Sequence, residues 1–135
     1  MHVVHVEDEG PLRDILRLMF VAAEPNIQLQ QFENSDPAVV YIEQHGQTVD
    51  LFVLDIRLPG ALNGLQIAQK IRDLKCPGFI VMTSAFSAPN QELLVSLRSE
   101  YFPKPWHILD LAPKLLKYRL NNSGQTRLPT NLLAT

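Results

Sequence analysis

The sequence is poor in several features that would point to a specialised class of protein. Cys76 is the only cysteine among 135 residues, so no internal disulfide can form and a reducing compartment is the simplest interpretation. The formal net charge is −2, and the lack of a basic excess argues against direct nucleic-acid binding. No apolar run is long enough for a signal peptide or a membrane span. We therefore expect a cytoplasmic protein that contacts neither nucleic acid nor membrane.

The composition is that of an ordinary folded domain. Hydrophobic residues make up 46% of the chain and charged residues 19%, values at which a chain of this length can bury a core without disulfides. The sequence turns polar from Asn121 onward. We expect one domain over residues 1–121 and a flexible C-terminal tail over residues 122–135.

Short apolar runs alternate with helical patterns along the chain. The runs predict five strands, at residues 3–6, 27–32, 51–54, 79–82 and 101–102. Spacings of three and four residues between apolar positions predict helices that begin near residues 10, 35, 64, 89 and 111. In the second helix we expect Ser35 or Asp36 as the N-cap and Val40 to face inward. This alternation predicts an α/β fold with a doubly wound, five-stranded parallel sheet of flavodoxin-like topology.

Polar residues follow the predicted strands at their carboxyl ends. Glu7 and Asp8 follow the first strand, Asp55 the third, Thr83 and Ser84 end the fourth, and Lys104 follows the fifth. Because ligands of open parallel sheets bind at this edge, these side chains are expected to converge.

Such a cluster has a clear chemical use. Neighbouring carboxylates repel one another unless a cation joins them, and Mg²⁺ prefers hard oxygen ligands of this kind. Bound Mg²⁺ would neutralise a phosphoryl donor, and Lys104 and Ser84 would hold the transferred oxygens. Positioning and charge neutralisation supply most of what phosphoryl transfer needs.

Four short strings together resemble the response-regulator receiver family. They are Val-Glu-Asp-Glu from Val6, Leu-Asp-Ile-Arg-Leu-Pro-Gly from Leu54, Met-Thr-Ser-Ala-Phe from Met82 and Pro-Lys-Pro-Trp from Pro103. Each string alone is weak, but their order and spacing match the family from residue 2 to about residue 120. The sequence departs from the family's pattern at Arg98-Ser99-Glu100 and at Pro113, which we expect in the first turn of the last helix.

The resemblance assigns a role to each residue of the cluster. It implies that Asp55 accepts a phosphoryl group and that Glu7 and Asp8, with Asp55 and the main chain of Arg57, hold Mg²⁺. It favours Ser84 over Thr83 as the switch hydroxyl. It implies that Lys104 binds the phosphoryl group and that the Lys104–Pro105 peptide bond is cis. It also implies that Tyr101 is an aromatic rotamer switch.

The implied function is a phosphoacceptor switch of a two-component system or phosphorelay. Its donor would be a histidine kinase or phosphotransfer protein, its downstream partner is an unidentified protein, and homodimer formation stays open. A receiver of this kind catalyses only its own phosphorylation and dephosphorylation.

Three alternatives compete with this function. A docking module that works without phosphorylation would not need the complete set of acids and lysine. A phosphatase of the haloacid-dehalogenase type needs an Asp-x-Asp pair after its first strand, whereas Ile56 and Arg57 follow Asp55. A flavin-binding module needs a phosphate loop after its first strand, where Glu7 and Asp8 would repel the phosphate.

Overall fold

The computed structural model describes residues 1–106. The strands are β1 His2–Val6, β2 Gln28–Phe32, β3 Leu51–Asp55, β4 Phe79–Ser84 and β5 Ser99–Pro103. The helices are α1 Gly10–Ala23, α2 Ser35–His45, α3 Gly64–Asp73 and α4 Gln91–Ser96, with a 3₁₀ turn at Gly46–Thr48. The helix predicted to begin near residue 111, the position of Pro113 and the predicted tail lie outside the described residues.

The five strands form one parallel sheet in the order β2-β1-β3-β4-β5. The strand order reverses between β1 and β3, which places the crevice of a doubly wound sheet at the carboxyl ends of these two central strands. Every residue of β1 and β3 is buried, as expected for parallel strands covered on both faces. The predicted fold class is confirmed.

Apolar side chains cover the two faces of the sheet separately. On one face Val3, Leu51 and Val53 pack with Leu16 and Phe20 of α1. The opposite face packs against α2, α3 and α4 through a larger cluster, which includes Val4, Phe52, Ile67, Ile71 and Leu94. Since side chains alternate along a strand, Asp55 continues the face of Leu51 and Val53.

Two expectations for α2 were wrong. The N-cap is Asn34, whose side chain accepts a hydrogen bond from the Asp36 amide at 2.9 Å, while the Ser35 hydroxyl accepts one from the distant Leu62 amide at 3.0 Å. Val40 is 53% exposed, whereas Ala38 and Ile42 are buried. The helix begins one residue earlier than expected and turns Ala38 and Ile42 toward the core, so Val40 falls on the outer side.

The segment between β4 and β5 is held by Arg72. The helix predicted to begin near residue 89 begins at Gln91, because Asn90 caps its first turn, and it ends before Arg98, which adopts a left-handed backbone with φ 50°. The Arg72 guanidinium donates hydrogen bonds to four backbone carbonyls, those of Leu97, Arg98, Cys76 and Gly78. These contacts fix the C-terminal end of α4 to the chain between α3 and β4.

His5 is a core residue of β1. The side chain is fully buried, and Nδ1 lies 3.0 Å from the Gln31 side-chain nitrogen. Burial lowers the pKa of His5 to about 3, so the ring is neutral at pH 7. Its complete burial leaves no access for a phosphoryl donor. Within residues 1–106 no helix is long and apolar enough to cross a membrane.

Candidate phosphorylation site

The carboxyl ends of β1, β3 and β5 bring the predicted site residues together. Glu7 and Asp8 follow β1 directly, and Asp55 is the last residue of β3. Lys104 follows β5, and its amide donates a hydrogen bond to the Ser84 carbonyl at 2.9 Å. The Lys104–Pro105 peptide is cis, as expected. Parallel pairing aligns the strand ends, so residues far apart in sequence meet at one edge.

Lys104 is the positive centre of this edge. Its Nζ lies 2.8 Å from Glu7 Oε1, 3.1 Å from Asp55 Oδ2 and 3.7 Å from Glu9 Oε2. The side chains of Glu7, Asp55 and Lys104 are at most 7% exposed, whereas that of Glu9 is 60% exposed. The two short contacts are therefore with carboxylates shielded from water, where an ion pair is screened little.

The pKa values of Glu7 and Lys104, which make the shortest contact, both depart from their usual values. It raises the pKa of Glu7 to about 7, the Asp55 charge adds to this, and the Lys104 hydrogen bond opposes it. For Lys104, burial alone would lower the pKa, but the hydrogen bonds and charges of Glu7 and Asp55 outweigh it and raise the pKa. Lys104 is therefore charged at neutral pH, and the surroundings of Glu7 favour a further cation.

The acids also fit a divalent cation. One carboxylate oxygen each from Glu7, Asp8 and Asp55 lies within 4.8 Å of the others, and Asp8 is exposed to solvent. This donor set of oxygens, partly open to water, is the kind that Mg²⁺ takes while it keeps several waters. Asp55 Oδ1 accepts a hydrogen bond from the Arg57 amide at 3.3 Å, which orients the carboxylate that would share the ion.

Both candidate switch hydroxyls are buried at the end of β4. Ser84 Oγ accepts a hydrogen bond from the Phe86 amide at 3.0 Å. Thr83 pairs with Asp55 in the sheet, and its buried hydroxyl has no hydrogen-bond partner among residues 1–106. Only Ser84 is linked to the loop after β4, so the preference for Ser84 stays a prediction supported by this contact.

Tyr101 and Arg57 both hold Phe86, in the loop after β4. The Tyr101 hydroxyl donates to the Phe86 carbonyl at 2.8 Å and to the Ser84 carbonyl at 3.2 Å. The Arg57 guanidinium carbon lies 3.8 Å from the centre of the Phe86 ring, a cation–π distance. The loops after β3 and β4 are therefore joined through Phe86, a contact that no sequence pattern had indicated.

Gly64 is a second feature that sequence reasoning missed. The first residue of α3 packs directly on the backbone at the end of β3, and its amide donates to the Ile56 carbonyl at 2.9 Å. A Cβ placed on Gly64 would meet the Asp55 carbonyl carbon and the Ile56 Cα at 2.8 Å, with the Asp55 carbonyl oxygen closer still. Only glycine allows α3 to begin this close to Asp55.

The geometry agrees with a sequence comparison. The family model described as the response regulator receiver domain matches residues 3–115. The chain belongs to this family. Receiver domains act in two-component signalling and interact with histidine kinases and phosphotransfer proteins, and phosphorylation and Mg²⁺ are typical of them.

Curated relatives of this receiver domain are longer regulators. The chain is 27% identical over 122 residues to the sensory transduction protein LytT of Bacillus subtilis, covering 90% of this chain and 49% of LytT. It is 28% identical over 127 residues to the transcriptional regulatory protein PhoP of Escherichia coli, covering 92% and 54%. The chain thus spans about half the length of the curated relatives it matches.

Solved structures support the same fold. A CheY-like response regulator receiver domain from Methanospirillum hungatei matches with a TM-score of 0.74 at 18% identity, over 86% of this chain and 90% of the other. The CheX–CheY complex of Borrelia burgdorferi with BeF₃ and magnesium matches with a TM-score of 0.73 at 19% identity, over 87% of each chain. At these identities the matches show the fold of the receiver domain.

Proposed function

We propose that this receiver domain takes a phosphoryl group from a histidine kinase or phosphotransfer protein onto Asp55. The single observation that supports this most is the position of Asp55, which ends a fully buried central strand, 3.1 Å from the Lys104 ammonium and beside two further acids. An ionised carboxylate at this place can attack phosphorus in line, while the opposing cation stabilises charge on the transferred oxygens.

The other site residues take supporting roles in this proposal. Glu7, Asp8 and Asp55, with the Arg57 main chain, hold Mg²⁺, which would neutralise charge on the donor and on the phosphoryl group. Lys104 binds one phosphoryl oxygen and the Ser84 hydroxyl donates to another. Movement of Ser84 would pull on Phe86, whose amide donates a hydrogen bond to the Ser84 hydroxyl. The Phe86 carbonyl accepts a hydrogen bond from the Tyr101 hydroxyl, so Tyr101 would change rotamer in response.

The proposed output is protein contact by a domain over residues 1–121 in the cytoplasm. The reaction stays within the domain, which catalyses only its own phosphorylation and dephosphorylation. Incubation with Mg²⁺ and phosphoramidate, whose N–P bond resembles that of phosphohistidine, should add one phosphoryl group by intact mass. Failure of the folded protein to gain mass, under conditions where a known receiver is labelled, would contradict the proposal.

Mg²⁺ binding should raise the melting temperature through Asp8. A ligand that binds only the folded state stabilises it by mass action, so millimolar Mg²⁺ should shift thermal unfolding upward. Asp8→Asn should remove most of this rise, because the exposed member of the acidic set loses its charge. Asp14→Asn, which changes an exposed acid of α1, is the matched control and should keep it. An equal rise in the Asp8 variant would place the metal elsewhere.

Arg57 and Phe86 should slow loss of the phosphoryl group. In the receiver family these two positions flank the path of the hydrolytic water, and here the two side chains stack at 3.8 Å with Phe86 57% exposed. The stack screens the open side of Asp55 and disfavours an ordered attacking water. Phe86→Ala and Arg57→Asn should each speed dephosphorylation of the purified phosphoprotein several-fold.

A control variant tests whether the stack itself is responsible. Leu18→Ala removes a comparable exposed apolar side chain from α1 and should leave the dephosphorylation rate unchanged. The double variant of Arg57 and Phe86 should lose phosphate little faster than either single variant, because each change already breaks the stack. Unchanged or slower loss in both single variants would exclude this role.

A further inference from the structure

The loop between β3 and α3 is closed at its base. This β3–α3 loop covers residues 56–63 and begins directly after Asp55. The Ile56 amide donates a hydrogen bond to the Thr83 carbonyl at 2.9 Å, and the Ile56 carbonyl accepts one from the Gly64 amide at 2.9 Å. The two ends of the loop are therefore fixed beside the proposed phosphoacceptor, and the position of the residues between them depends on further contacts.

The first two residues of α2 supply such contacts to the middle of the β3–α3 loop. The Ser35 amide donates to the Pro59 carbonyl at 3.0 Å, and the Ser35 hydroxyl accepts from the Leu62 amide at 3.0 Å. Asp36 Oδ1 accepts from the Ala61 amide, also at 3.0 Å. The start of α2 thus pairs with backbone groups of the loop through both its main chain and its side chains.

The close approach between the loop and α2 depends on two small residues. Ser35 is fully buried, so no water competes for its hydroxyl. Gly60 has a φ of 109°, a backbone conformation that glycine adopts far more readily than other residues. A Cβ on Gly60 would meet the Ser35 amide nitrogen and Asp36 Oδ1 at 3.1 Å, with the Ser35 hydroxyl closer still. A backbone packed this closely against a buried side chain has little room to move.

Arg57 lies between the closed base and the held middle of the β3–α3 loop. It precedes Pro59, which is bonded to Ser35, by two residues. Its amide donates to Asp55 Oδ1 at 3.3 Å, and its guanidinium carbon lies 3.8 Å from the centre of the Phe86 ring. Because the chain from Arg57 to the held segment is so short, the contacts of Arg57 with the site depend on where the loop is held.

We propose that Ser35 and Asp36 are positioning residues of the phosphorylation site, because they hold the β3–α3 loop that carries Arg57. Held in this way, the Arg57 main chain can join the acids at Mg²⁺ while its side chain meets Phe86. This inference rests on the proposed Mg²⁺-dependent phosphorylation of Asp55. Since the loop is ordered before the ion arrives, binding requires little further loss of chain freedom.

Mg²⁺ affinity, measured by calorimetric titration, tests the proposal. Ser35→Ala and Asp36→Ala should each weaken Mg²⁺ binding about tenfold, the lower end for residues that orient a metal ligand, because each change removes a hydrogen-bond acceptor from the loop. Asp36→Asn keeps an oxygen for the Ala61 amide and should restore the affinity that Asp36→Ala loses. This pair of variants separates the hydrogen bond from the charge.

Asn34→Ala is the matched control. Asn34 caps the same helix by accepting from the Asp36 amide at 2.9 Å, so its loss should lower the melting temperature and leave the Mg²⁺ affinity unchanged. Asp36 is exposed, so Asp36→Ala keeps the test available if the buried Ser35→Ala change prevents folding.

Two further readouts follow the loop itself. In the metal-free protein the Ala61 and Leu62 amides should exchange hydrogen faster in Ser35→Ala and Asp36→Ala than in the parent, because each variant frees one of these amides. The phosphorylated variants should also lose phosphate several-fold faster than the parent, since a loosened loop separates Arg57 from Phe86.

The outcomes separate this inference from the proposed function. Parent-like Mg²⁺ affinity and dephosphorylation in both alanine variants would overturn the inference. An equal loss of affinity in Asn34→Ala would also overturn it, because the effect would then belong to the stability of α2. In either case the parent would still bind Mg²⁺ and accept the phosphoryl group. A folded parent that binds no Mg²⁺ would contradict the metal part of the proposed function and the inference together.

Discussion

Asp55→Asn is expected to abolish phosphorylation by phosphoramidate or acetyl phosphate. Transfer needs an anionic oxygen that attacks phosphorus, and an amide at the same place is a far poorer nucleophile. The substitution preserves side-chain shape at a 5% exposed position, so the fold should survive, as thermal unfolding would verify. Intact mass spectrometry should then detect no phosphoryl adduct in the variant.

The matched control is Asp73→Asn, which removes an exposed carboxylate at the end of α3, away from the cluster. It should be labelled like the parent protein. Asp8→Asn should slow labelling and raise the Mg²⁺ concentration that labelling requires, because it retains the acceptor and weakens the metal site. Labelling of Asp55→Asn to the parent level would assign the acceptor to another residue.

Gly64→Ala should destabilise the domain by about 3 kcal/mol, the upper end for an overpacked core position. The added Cβ would meet backbone atoms of Asp55 and Ile56, which belong to a buried central strand and cannot move aside as a flexible side chain would. For a domain of this size we expect the melting temperature to fall by roughly 10 °C. Differential scanning calorimetry gives both quantities.

Gly10→Ala is the matched control for this substitution. Gly10 also begins a helix, but a Cβ there would meet only the end of the Arg13 side chain at 3.6 Å. The higher helix propensity of alanine should leave stability unchanged or raise it by up to about 1 kcal/mol. A Gly64 variant as stable as the Gly10 variant would show that α3 can begin farther from Asp55 without cost.

The sheet and its polar edge were predictable because their signals are local. Continuous apolar runs such as Leu51–Leu54 and Phe79–Met82 indicate strands buried on both faces, and each is followed by polar residues at the end where ligands bind. Asp55 and Lys104 were therefore identified as neighbours, and their ion pair at 3.1 Å agrees. The side of α2 that faces the core was predicted wrongly, because the sequence of this helix is weakly amphipathic and does not mark one side as apolar.

The features that the sequence did not predict depend on contacts between distant segments. Arg72 bonds carbonyls on both sides of β4, and nothing in the residues around it marks this role. The stack of Arg57 on Phe86 joins two loops that are separate in the chain. Likewise, Lys104 lies closer to the buried Glu7 carboxylate than to the exposed Glu9 carboxylate. The burial of Glu7 is determined by the folded structure and cannot be read from neighbouring residues.

The most direct test of the central claim is an NMR titration with Mg²⁺ and beryllofluoride, which mimics the phosphoryl group on an aspartate. If Asp55 is the acceptor of a working switch, amide signals should shift around Asp55 and also at Ser84, Phe86 and Tyr101. The Asp55→Asn protein should show only the response to Mg²⁺. Shifts confined to Glu7 and Asp8 in the parent protein, or an identical response in the variant, would contradict the account.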